Sequence, residues 1–354
     1  MKALVGLCLL VLGQEDVVRA PAPSFRGLGD LPGGEFASEG LGLSDDGAVV
    51  FGVSASARSG REGYRWTAAG GMQPLGGLGD GPPGSEPRAG LPDAQLLVGK
   101  ADSPRGACEA ARWTQDPGWV ALGDLEDGDF ASGALGVSGD GRRVVGWGTS
   151  AKGAEAVLWE HDTLRALGDL ACGEFHAAAA LISADGKRIA GTGTSERGSE
   201  VFVWQEDSGL VGLGDLPGGP YSSEPFGMTP DGRTIVGQSS SGNGVEAFYW
   251  TVEGGLRGIG DLPGGPFESH AFDISADGRA SVGTGTTTKG REAFLWDSIR
   301  CMRRVADLLA AAGVTGLEGW TLHEASAISA DGKWLAGTGT NPHGKREAWL
   351  ARLP

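Results

Sequence analysis

The chain has 354 residues and carries 29 Lys and Arg against 45 Asp and Glu, a formal net charge of −16. That balance argues against a nucleic-acid partner, whose phosphates need clustered cations, and against docking on an anionic membrane. With 65 glycines the chain is rich in turns, yet its recurrent β-branched and aromatic residues keep it out of the disordered class.

Lys2 followed by the apolar residues 3–12 reads as the opening of a secretory signal, so residues 1–20 are taken as a targeting segment and the protein as exported, to the extracellular space or cell envelope. The stretch is too short to cross a bilayer as a helix, and no transmembrane span is expected. Val18-Arg19-Ala20, with Pro21 behind it, is a weak cleavage region. Cys8, Cys108, Cys172 and Cys301 show no paired spacing, so neither a disulfide framework nor a zinc pattern follows. Residues 21–354 are read as one domain, a monomer without a cofactor that holds by packing alone.

That domain repeats. Seven turn aspartates, Asp46, Asp93, Asp140, Asp185, Asp231, Asp277 and Asp331, follow one another at gaps of 47, 47, 45, 46, 46 and 54 residues. Such a period is the mark of one supersecondary unit used many times. Residues 209–261 show the unit. In Tyr221–Met228, Phe226 and Met228 alternate with Gly227, as Leu41 pairs with Leu43, Leu135 with Val137 and Phe272 with Ile274 in other copies; this is the period of a half-buried strand. Asp231-Gly232 turns the chain, Gly supplying a positive φ. Thr234–Gly237 and Glu246–Thr251 are the next strands, and Leu256–Leu262 is the fourth, ending in Ile259-Gly260-Asp261. Four short antiparallel strands per repeat make a propeller blade, so the expected fold is an all-β, seven-bladed β-propeller. Phe25–Leu31, a lone copy of the fourth strand, is expected to complete the last blade and close the ring.

Gly52, Gly99, Gly146, Gly191, Gly237, Gly283 and Gly337 recur after the second strand, where a close neighbour, expected to be the adjacent blade, would exclude a side chain. Trp66, Trp113, Trp159, Trp204, Trp250 and Trp296, with Ala351 in the seventh place, are expected to pack between blades. Repeat two lacks the turn glycine, having Ala94 there. Repeat seven carries an insertion at about 300–313, where Val305, Leu308, Leu309 and Ala312 predict a short helix over Met302–Ala312 capped by Gly313.

With these motifs in order, the chain resembles the HAF-repeat proteins, probable extracellular repeat proteins of bacteria. The naming tripeptide stands as His270-Ala271-Phe272, and the stretch from Ala327 through Asn341 and Glu347 to Pro354 is similar to the end of such proteins. The resemblance covers residues 25–354 and implies export and a repeat fold, but no activity. The Ser-Ala-Asp-Gly turn also resembles the turn of TolB-like propellers, a likeness of hairpins rather than of function.

Candidate chemistry is sparse. His161, His176, His270, His323 and His343 have no metal-ligand spacing, and no catalytic or metal residue is assigned. Asp30, Asp215 and Asp261 in Asp-Leu-Pro-Gly-Gly lack the alternating oxygen ligands of a calcium loop and read as turn caps. No sialidase-type Asp box is present, since Asp185 and Gly186 are adjacent. One strand position does gather polar residues: Glu39, Glu86, Gly133, Ala178, Glu224, His270 and Glu324. If the first strands line the channel, the four glutamates and His270 could form an acidic funnel for a cationic ligand, with solvated rim charges as the plainer reading. The expected function is a binding module for a carbohydrate or protein. A carbohydrate-active hydrolase or lyase and a structural surface-layer component are the alternatives.

Overall fold

In the computed structural model, which describes residues 22–354 apart from 59, 82, 106, 107 and 162, the turn aspartate closes on the backbone together with a serine in five blades, with Thr229 in blade five, and alone in blade two, where Leu91 stands in the serine's place. The Ser44 hydroxyl donates to Asp46 Oδ1 at 2.7 Å and accepts the Val49 N–H at 2.9 Å, while Asp46 accepts the Ala48 N–H. Residues 1–20, where a targeting segment is expected, lie outside the described residues. Gly232 holds φ +68° at its turn, and Ala94 adopts the same left-handed conformation at +50°, so repeat two keeps the turn without the glycine.

These hairpins build seven four-stranded antiparallel blades. Blade five consists of Gly218–Met228, Thr234–Ser241, Gly244–Thr251 and Gly255–Gly258, and a single parallel pairing, Ser199 with Ser222, joins it to blade four. The inner strands are Ser38–Leu43, Ser85–Gly90, Ser132–Val137, Ala178–Ile182, Gly218–Met228, Ser269–Ile274 and Thr321–Ile328. The ring closes as expected. Ser24–Gly27 pairs antiparallel with Arg346–Arg352 to complete blade seven, and the strand ends at Gly27 because Gly29, at φ +76°, turns the chain away.

Strict alternation fails in the inner strands. Every one carries a β-bulge, at Leu41, Arg88, Leu135, Ala180, Phe226, Phe272 and Ser326, where one extra residue stands outside the ladder. Leu41, Leu135, Phe226 and Phe272 therefore do not share a face with Leu43, Val137, Met228 and Ile274. The second set packs into the cores between blades, Leu43 and Met228 also touching the channel, and the first lines the central channel.

The bulge also corrects the partner of the recurrent strand glycine. A Cβ on Gly283 would lie 1.8 Å from the His270 carbonyl oxygen, and one on Gly52 1.9 Å from that of Glu39. The excluding neighbour is thus the inner strand of the same blade, whose bent backbone brings a carbonyl onto the glycine. Contact with the next blade belongs to other glycines, such as Gly40, whose Cβ would meet the Gly337 carbonyl oxygen at 3.0 Å.

Seven apolar clusters fill the seven gaps between blades, and the recurrent tryptophans lie in them: Trp66 between blades seven and one, Trp113 between one and two, and so on round the ring. In the insertion the helix is Val305–Ala311, three residues shorter at its start than predicted, because Cys301–Arg304 forms the outer strand of blade six. Gly313 ends the helix at φ +72°, with the Val314 N–H reaching the Leu309 carbonyl at 3.1 Å.

Candidate functional site

The loops leading into five of the seven inner strands are fixed by one of two devices. Asp261 accepts the N–H groups of Leu262, Glu268 and Thr286 at 2.7, 2.8 and 3.0 Å, and Asp124 and Asp169 do the same in their blades. Each needs a glycine opposite: a Cβ on Gly285 would lie 2.7 Å from Asp261 Oδ1. The turn-cap reading therefore holds for Asp261 but not for Asp30 or Asp215. There the facing residue is Ser54 or Ser239, whose hydroxyl takes the Leu31 or Leu216 N–H at 2.9 Å instead.

These loops set the mouth of the channel. Glu39, Glu86, Gly133, Ala178, Glu224, His270 and Glu324 stand at equivalent register positions, opposite Val53, Lys100, Trp147, Thr192, Gln238, Thr284 and Thr338 of the second strands. The structure brings the five candidate side chains to one rim but does not leave an acidic funnel. Across blades seven, one and two runs a chain of ion pairs: Glu324–Arg346 at 3.7 Å, Arg346–Glu39 at 3.1 Å, Glu39–Arg61 at 3.3 Å and Arg61–Glu86 at 4.0 Å. Glu86 also meets Arg88 at 2.6 Å and Lys100 at 3.4 Å. Three carboxylates thus face four cations.

The remaining rim is of different character. Glu224 accepts the Gln238 side-chain amide at 2.9 Å. His270 lies 3.3 Å from Glu268, which Arg291 also pairs, and the Arg291 guanidinium holds the Glu268 carboxyl below the usual range. The His270 ring stacks on Phe272, and Phe272 meets Phe226 with ring centroids 5.6 Å apart. At blade three, Gly133 leaves space that the Trp147 indole occupies: a Cβ there would lie 2.8 Å from its Nε1.

Behind the rim is a cavity of about 570 Å³, within the range of small-molecule sites, touched by all seven bulge residues. Asp273, the residue after the blade-six bulge, is a carboxylate in its wall. It accepts the Ile274 N–H at 2.8 Å and the Ile328 N–H of blade seven at 2.9 Å. Burial, opposed by these bonds and reinforced by Asp45, pushes its carboxyl from 3.8 up to about 7. Between about pH 4 and 7 the folded chain then keeps a proton that the unfolded chain has lost, so this group's contribution to stability falls as pH rises through that window. Melting wild type and Asp273→Asn at pH 5 and pH 8 should show the wild type losing more, by on the order of 2 kcal/mol after allowance for partial exposure. Equal pH responses would contradict the assignment.

Among the described residues no group of three or more His, Cys, Asp or Glu side chains could hold a metal. Cys108, Cys172 and Cys301 are free thiols. Sequence reasoning missed Arg61, Arg346 and the bulge ring. The two arginines come from loops and strand starts where repeats differ, and a bulge leaves no trace in an alternation pattern. Trp147 had a signal, being a tryptophan where other blades have Val, Lys, Thr or Gln after the strand glycine.

The chain matches no protein-family model, and no curated protein is similar to it. Among solved structures it is similar to an oligogalacturonate lyase from Vibrio parahaemolyticus, with a TM-score of 0.61 at 11% identity, covering 94% of this chain and 98% of that one. It is also similar to a protein assigned as TolB from Agrobacterium tumefaciens, with a TM-score of 0.51 at 15% identity over 76% of this chain and 91% of that one. A third is the β-propeller domain of the Trilobed protease from Pyrococcus furiosus, with a TM-score of 0.52 at 12% identity over 76% and 84%. That domain is described as having an open velcro topology, whereas here the first strand seals the last blade. At such identities the likeness shows the fold alone: a β-propeller.

Proposed function

We propose that the chain is an exported HAF-repeat protein of the extracellular space or cell envelope, acting as a binding module whose carbohydrate or protein ligand seats at the channel mouth. One observation carries this reading. The positions that build the blades repeat round the ring: the strand glycine in all seven, and the turn aspartate likewise. The bulge positions facing the cavity do not, reading Leu41, Arg88, Leu135, Ala180, Phe226, Phe272 and Ser326. Fold needs sameness in each blade, and a ring with five residue types in seven blades where it meets an open cavity serves recognition instead. Export is supported by the apolar segment after Lys2, and the described residues contain no helix long and apolar enough to cross a membrane. Screening glycan and peptide arrays tests the module, with Ala180→Trp as the plugged control. Binding should be found for the native chain and be lost on plugging.

A further inference from the structure

Resting on that reading of the site, we infer that the ligand class is a short acidic oligosaccharide, with the carboxylate of a uronic-acid ring taken by Arg88. Arg88 is the one charged residue among the seven bulge positions and lines the cavity. Its bond to Glu86 uses one of five guanidinium donors, and 44% of the side chain stays exposed. In a seven-bladed ring, blade two faces the gap between blades five and six. Phe226 and Phe272, which also line the cavity, therefore stand on the wall opposite the blade that carries Arg88.

A planar, carboxylate-binding cation on one wall and two aromatic faces on the other suit a ligand that is charged at one edge and carries C–H groups on its faces. The rim adds the second half of the argument. In blades seven, one and two, Glu324, Glu39 and Glu86 alternate with Arg346, Arg61 and Lys100, so hydroxyl donors find acceptors beside the cations. A sugar supplies those donors. A uronate trimer offers several hydroxyl donors for each carboxylate, whereas tri-glutamate offers only its few backbone N–H donors beside as many carboxylates. The charge of −16 over the whole chain favours short oligomers over long polyanions, because only the mouth offers local compensation.

The test is calorimetric titration of the native chain with trisaccharides of galacturonate, glucuronate and mannuronate, their methyl esters, a neutral glucose trimer and tri-glutamate. At least one uronate trimer should bind, its methyl ester at least tenfold more weakly. Arg88→Gln should erase that difference while leaving the melting curve in place, and Ala180→Trp or the rim variant Ala178→Trp should abolish binding. No binding to any uronate, equal affinity for acid and ester, or preference for tri-glutamate would overturn the inference. A neutral trimer that binds and is lost in Ala180→Trp would leave the channel-mouth site standing without its acidic ligand. Binding that survives both plugging variants would remove the site itself.

Discussion

Removing residues 1–30, so that the chain begins at Leu31, is expected to lower the melting temperature by roughly 10 °C or more. Those residues include the outer strand of blade seven, with Phe25 opposite Ala351 and Gly27 opposite Trp349. Phe25 packs edge-on against Trp320 at 5.2 Å, and Leu28 is buried in the cluster between blades seven and one. Burying such side chains contributes about 1.5–3 kcal/mol each, so with the ladder bonds the loss is on the order of 5 kcal/mol. The seam also holds through Ser38, whose hydroxyl donates to the Gly29 carbonyl at 2.6 Å and accepts the Ala348 N–H at 3.0 Å. Losing the strand strands that hydroxyl and leaves an open edge on the last blade. Differential scanning calorimetry of the two chains gives the answer, and coincident melts would mean the ring does not depend on this closure.

A comparable effect is expected from one methyl group. Gly283→Ala places a Cβ 1.8 Å from the His270 carbonyl oxygen, a backbone atom that cannot swing aside. Relief requires the second strand to leave the inner one at its bulge, costing about 3 kcal/mol or more. Gly255 is the control. It has φ +67° and no neighbour within 4 Å of a built Cβ, so Gly255→Ala should cost only the left-handed penalty of about 1–2 kcal/mol. Urea unfolding compares them; equal costs would show that backbone contact at the bulge is not what reserves the position for glycine.

Much of the fold could be read from spacing. The repeat number, the hairpins at Asp46 through Asp331 and the sealing strand near Phe25 follow from motifs in fixed order, because each marks a backbone requirement that any blade must meet. Where the motif and the requirement separate, the reading slipped. After blade one, Leu78-Gly79-Asp80 matches the Leu28-Gly29-Asp30 pattern but stands three residues late: Gly76, at φ +71°, takes the place of Gly29, its carbonyl accepting the Ser85 hydroxyl as that of Gly29 accepts Ser38. The aspartate cap and its serine substitute could have been recognised as a pair, since Gly285 accompanies Asp261 and Ser54 accompanies Asp30. The candidate rim was found because five polar residues recur at one offset. Its charge character was not, because Arg61 and Arg346 lie outside the aligned strand, each pairing with a glutamate of its own blade and one of the next.

The central claim is that recognition happens in the channel mouth, where the blades differ. Titrating whichever ligand the arrays identify into three chains tests it most directly: native, Ala180→Trp, and Val211→Trp on the outer strand of blade four, where Val211 is 49% exposed. The account predicts that the outer-strand variant binds as the native chain does and that the channel variant, melting normally, does not bind. The reverse pattern, with affinity lost at Val211 and kept at Ala180, would contradict it.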